Sequence, residues 1–172
     1  MKKRFLLQTL ALAALAASTS GVMAQEKFKI GLVLPMTGQQ ATTGRQIEAA
    51  ARLYIAQHGD PVAGKKIELI VKDDTSLPDQ TRRLAQELIV NDKVNVLAGM
   101  GITPSAMAVA PLATQSKTPL VVMAAATSSI TEASPYIVRT SFTLPQDSVA
   151  LADWAHKNGM KKLVTLVSDY GP

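Results

Sequence analysis

The feature that most constrains this chain is an alternation. Short apolar runs, Phe28–Pro35, Ile67–Asp73, Val94–Ala98, Leu120–Met123 and Leu163–Val167, are each too brief for a helix, and longer stretches with helical spacing separate them. Parallel strands cannot be joined by a tight turn, so each intervening helix serves as a crossover and the units become right-handed β-α-β. The expectation is an α/β fold: a parallel sheet flanked by helices on both faces.

The helices are bounded by their own punctuation. Ile47, Ala51, Tyr54, Ile55 and His58 share one helix, stopped by Gly59. The second opens at Ser76, Leu77, Pro78 and Asp79, with Leu84, Ala85, Leu88 and Ile89 on one face; a proline and a carboxylate both suit a first turn. A third begins at Thr103, with Met107, Ala108 and Leu112 expected inward and Pro111 expected to kink it. Ser129 and Glu132 have capping-box spacing for a short helical turn, followed by an extended piece over Tyr136–Arg139. The last helix is expected over Ser148–Lys157, with Trp154 in the core and a stop at Asn158 and Gly159.

The amino terminus has a different character. Lys2, Lys3 and Arg4 precede an apolar run from Phe5 to Ala17, and Val22, Met23 and Ala24 form a small-x-small cleavage site. This is the pattern of a secretory leader over residues 1–24, cut before Gln25; the run is shorter than the roughly 20 residues needed to cross a bilayer. With no cysteine near the cut, a form anchored by an acylated cysteine is excluded. Losing the leader's three cations from 18 basic residues leaves 15 against 13 acidic ones, so the basic pI belongs largely to the leader. No clustered basic face remains for nucleic acid or a membrane surface. Without cysteines in an oxidising compartment, burial alone must stabilise the fold, and 148 of the 172 residues remain to do it.

In an open parallel sheet, ligands bind beyond the carboxyl ends of the strands, where the strand order reverses. The loops there are 36–44, 99–105, 124–129 and 168–172, and three are rich in glycine and hydroxyl residues with almost no charge. Gly99 and Gly101 let the backbone come close, Thr103 is suited to cap a helix, and Pro104 fits its first turn. A carboxylate resting on a helix start gains about 0.3 to 1 kcal/mol, up to ~2 when partly buried. Any one hydroxyl could simply cap its own helix; the set, gathered on one edge, favours a binding site for a small anion.

Catalytic and cofactor patterns are missing from these loops. Gly99, Met100 and Gly101 lack the third glycine of a dinucleotide fingerprint, and Gly64, Lys65 and Lys66 sit in a turn before a strand rather than in a phosphate loop. Ser105 and Ser128 lie outside any nucleophile elbow. His58 and His156 fall near helix ends, where they complement the dipole. Asp73 and Asp74 suit bracing of the loop after the second strand better than metal ligation, so no cofactor and no metal are expected. Arg139 could pair internally or lie on the surface.

In order and spacing the chain resembles the extracytoplasmic substrate-binding proteins of ABC transporters, in particular the leucine, isoleucine and valine binding family with its type I periplasmic binding protein fold. The likeness rests on Lys29–Leu32 with Pro35–Gly38, Gly44, Lys72–Thr75, Gly99–Ser105, Pro119–Val122 with Ala125–Thr127, Tyr136–Thr140, and Ser168–Gly171. It implies that residues 25–172 are the first lobe of a two-lobed receptor, truncated before the second lobe. That receptor would close over one solute and deliver it to an inner-membrane permease, working as a monomer in the periplasm and without catalysis. By position, Thr103, Ser105 and the backbone of Ala125 and Thr127 would hold the head group, Thr43 would flank the side chain, and Tyr170 would pack on the ligand. Ile102, Thr103 and Pro104 stand where the family often shows a run of serines. The resemblance implies a branched-chain or related amino acid as solute; an aromatic acid is the alternative, and an exported α/β hydrolase is the alternative of another class.

Overall fold

The computed structural model describes residues 26–59 and 61–166. The expected leader, Val167 and the 168–172 loop with Tyr170 lie outside the described residues. Five strands form one parallel sheet: β1 (Lys27–Leu34), β2 (Lys66–Asp73), β3 (Val96–Gly99), β4 (Leu120–Val122) and β5 (Ile137–Arg139). Their spatial order is β2-β1-β3-β4-β5. Between them run α1 (Ala41–His58), α2 (Pro78–Glu87) and α3 (Thr103–Ser116); a 3-10 turn (Ser128–Glu132) joins β4 to β5, and α4 (Leu144–Lys157) follows β5.

Alternation along β1 divides the core. Leu32 and Leu34 point to one face, where Ile47 and Ala51 of α1 pack on them; Val33 points to the other, into the larger cluster built by α2, α3, β3, β4 and β5. The expected helices on both faces are therefore present. Gly59 ends α1 with φ +82, and Pro78 opens α2 as read from the sequence. Beyond Glu87 the helix widens into a π-helical turn over Leu88–Asp92, ended by Lys93 in a left-handed conformation; Leu88 there is fully buried.

Several expectations are corrected. The inward face of α3 is Ala106, Val109, Ala110 and Ala113, with Leu112 packed against the same core as expected; Met107 is exposed and Ala108 only partly buried. The helix is apolar nearly all round, so periodicity does not choose a face; close packing against α2 selects the small side chains, and Met107 is left exposed. Ser129 and Glu132 make no capping box, because Thr127 is the N-cap of that turn. A box forms instead where Thr143 N donates to Gln146 Oε1 at 2.7 Å, so α4 starts at Leu144 rather than Ser148. Trp154 is 54% exposed, since Ala155 alone of α4 is buried and no layer among the described residues covers the tryptophan. Residues 161–166 form no strand: a strand needs a neighbour to complete its ladder, and Val164 and Leu166 are almost wholly exposed.

Candidate functional site

The chain leaves β1 towards β2 on one side and returns to β3 on the other. The loops after β1 and β3 therefore part at the carboxyl edge, which is the switch point of the sheet. A cleft of about 740 Å³ opens there. Its walls are Gln40, Thr43, Gln46, Ile47, Ala50 and Ala51 of the loop after β1 and of α1, Gly101 after β3, Met123 and Ala124 after β4, and Ser141 and Phe142 after β5. No lining side chain carries a charge.

Local chemistry fixes each wall. The Asp73 carboxylate accepts from the Met36 amide (2.9 Å), the Thr37 amide (3.4 Å), the Thr37 hydroxyl (2.7 Å) and the Thr75 amide (2.9 Å). Partial burial pulls its pKa upward, but these donors together outweigh burial and hold it below the ordinary aspartate range. The bracing expected of Asp73 and Asp74 is thus realised. Pro35 then acts as a wedge. A side chain at Gly44 would collide with the Pro35 carbonyl, and one at Gly101 would lie 2.7 Å from the Pro35 ring. Both glycines are required by close approach, so α1 and the start of α3 seat against the same residue.

The turn from β3 into α3 is strained. Gly99 has φ +116 and Met100, a non-glycine residue, φ +63. Such a residue costs on the order of 1–3 kcal/mol and persists only where its surroundings impose it. Here they do: Met100 is fully buried, its amide donates to Val33 O at 3.0 Å, and its carbonyl accepts from Ala125 N at 3.0 Å. Ile102 is the N-cap of α3, Pro104 has no amide hydrogen, and Ala106 N donates to Ile102 O. The helix therefore offers the amides of Thr103 and Ser105 as its unpaired first-turn donors.

The residues expected at the site fall into distinct places. Thr43 lines the cleft. Thr103, 3% exposed, does not cap α3; its hydroxyl lies 2.8 Å from that of Thr127. Arg139 pairs internally: its guanidinium donates to Thr127 O at 2.6 Å, fixing that loop from β5. Ser105 is fully buried, with its hydroxyl 2.7 Å from that of Thr81, so it is turned into the fold; like Thr103, Ala125 and Thr127 it stands behind the cleft lining rather than in it. Ala125 is 2% exposed, and of its backbone groups the amide donates to Met100 O at 3.0 Å. Tyr170 lies outside the described residues. Sequence reasoning missed Gln40, Gln46, Ser141 and Phe142. The Thr143/Gln146 spacing, which starts α4 early, was the signal that would have placed Ser141 and Phe142 in a strand-end loop. Among the described residues no cluster of side chains could hold a metal ion.

Residues 27–171 match the family model described as periplasmic binding protein. A curated relative, the Leu/Ile/Val-binding protein homolog 6 of Brucella abortus (strain 2308), is 43% identical over 99% of this chain and 43% of its own length. A solved solute-binding protein of an ABC transporter from Rhodopseudomonas palustris BisB5, in complex with 3,4-dihydroxybenzoic acid, is 69% identical with TM-score 0.82, covering 84% of this chain and 40% of that one. Another from R. palustris, in complex with 4-hydroxybenzoate, is 48% identical with TM-score 0.82, covering 86% and 40%. The chain thus spans less than half the length of each. With its parallel sheet, its edge cleft and these likenesses, it belongs to the periplasmic binding protein family, as an α/β lobe of that fold.

Proposed function

We propose that this chain is the first lobe of a periplasmic receptor for an ABC importer, which captures a small carboxylate-bearing solute in the edge cleft by closing a second lobe over it. The solute that best suits the cleft is an aromatic acid of the hydroxybenzoate kind. The observation that carries this reading is a cleft with apolar walls, from Ile47, Met123 and Phe142, and no charged lining residue. In this reading a ring lies on those walls with its carboxylate turned toward the start of α3, where Gly101 lines the cleft. An ammonium group has no counter-charge here, and a buried polar group left unmet costs about 1–3 kcal/mol, more when charged. The aromatic acids held by the two R. palustris proteins support the same choice.

A branched-chain amino acid is the second reading. The name of the Brucella relative favours it; the ammonium partner would then come from another part of the receptor. In either case the protein holds its solute and does not convert it, acts as a monomer with an inner-membrane permease, and reaches the periplasm by loss of residues 1–24 near Ala24 and Gln25. Thr43 contacts the solute, and Tyr170 packs on it.

Thermal denaturation of the full-length protein with 4-hydroxybenzoate, 3,4-dihydroxybenzoate and leucine separates the readings. The true ligand at ~100 times its Kd adds about 2.7 kcal/mol of stability. Stabilisation by leucine alone would reverse the order of the two readings. Loss of the solute on incubation, followed by chromatography, would overturn the non-catalytic role.

A further inference from the structure

A buried polar chain runs behind the cleft, and solute contact does not explain it. Asp74 is 1% exposed, and Thr81 and Ser105 are fully buried. Asp74 Oδ2 lies 2.8 Å from Thr81 Oγ1, which lies 2.7 Å from Ser105 Oγ. Thr81 Oγ1 is also 2.9 Å from Leu77 O, yet a hydroxyl has one proton to give. The carboxylate is the stronger acceptor, so Thr81 donates to Asp74 and Ser105 donates to Thr81. The polarity of the chain is thereby fixed from the aspartate to the first turn of α3.

The aspartate end is itself held firmly. Asp74 Oδ1 accepts from Ser76 N at 3.0 Å, Asp74 N donates to Leu34 O at 3.1 Å, and Leu77 N donates to Asp74 O at 2.8 Å. Thr75 and Ser76 both adopt positive φ, +51 and +62, within this turn. The end of β1, the turn after β2, the first turn of α2 and the first turn of α3 are thus joined by one short path. Ser105 stands at its far end, two residues from Thr103, whose hydroxyl meets Thr127. The edge amides of α3 are consequently gripped from behind by Thr81 and from the side by Thr127.

We infer that Asp74 and Thr81 are positioning residues for solute capture, acting through Ser105 to set the first turn of α3 against the cleft. The inference rests on the proposed function, in which that turn receives the carboxylate. Small displacements at such a turn weaken binding because amide hydrogen bonds are steeply directional. Neither residue touches the solute.

The test measures 4-hydroxybenzoate and leucine affinity by calorimetry in the full-length protein. Thr81→Val is expected to bind the accepted ligand about tenfold more weakly, while Thr81→Ser, which restores the hydroxyl, stays within about twofold of wild type. Val94→Ala removes core volume near the opposite end of β3; compared at an equal loss of Tm, it should bind as wild type does. Should Thr81→Val fail to fold, Ser105→Ala decides, with the same loss expected. Where both fold, the double variant should bind no more weakly than either single one, because both changes cut one chain. Wild-type affinity in Thr81→Val or Ser105→Ala overturns the inference, as does an equal loss in Val94→Ala. If the wild-type protein binds neither solute, the proposed function falls first and this inference with it.

Discussion

At the scale of single residues, the site is built by groups facing inward as much as by groups facing the cleft. Asp73 shows this best, because its carboxylate meets the loop after β1 and never the cleft. Its pKa in the fold lies below its unfolded value, so its contribution to stability is complete above the ordinary aspartate value of about 3.9 and is lost as pH falls through the lower, folded value. Chemical denaturation from pH 6 downward should show wild type more stable than Asp73→Asn, with the gap closing only in that acid window. A gap independent of pH would refute the assignment. Thr43, expected in the loop after β1, stands in the first turn of α1 and lines the cleft from there. Ser105 and Ala125 could not be placed from the sequence: a sequence marks a hydroxyl or an amide near a helix start but not the direction in which it donates. Thr81, three residues into α2, claimed the one, and the Met100 carbonyl claimed the other.

At the scale of elements, β1 to β5 and the crossovers between them were legible wherever burial was strong, since period and punctuation agreed there. Legibility failed where a pattern had no single reading. The all-round apolar surface of α3 hid its inward face, and the capping spacing at Thr143 was outcompeted by the similar spacing at Ser129. For α4, whose start is tied by Leu144 N donating to Ala126 O at 2.9 Å, amphipathicity predicts a partner but cannot supply one. With Trp154 more than half exposed, this 172-residue chain should emit at long wavelength and be readily quenched by acrylamide. The full-length protein should show blue-shifted, protected emission, if a second lobe covers that face; identical spectra would argue against such cover.

At the scale of the whole molecule, the strand order was not written in the sequence, yet it decides where the cleft lies. The turn back across β1 to β3 is a property of tertiary packing, and the reading of the edge loops depended on a general rule of parallel sheets rather than on any motif. A single lobe offers one side of a solute its contacts. Calorimetry on the 172-residue chain should therefore give binding at least about a hundredfold weaker than in the full-length receptor, the equivalent of about 2.8 kcal/mol of missing contacts; equal affinities would mean that this lobe alone forms the site. The Pro35 wedge has a consequence for how such a receptor can diversify. Because Gly44 and Gly101 both abut that one residue, the two walls cannot drift apart independently without opening a void or a clash. Under the proposed function, descendants of this lobe that acquire new solutes are thus channelled into exchanging the side chains that line the cleft, at Thr43, Met123 or Phe142, on a frame whose width is inherited unchanged.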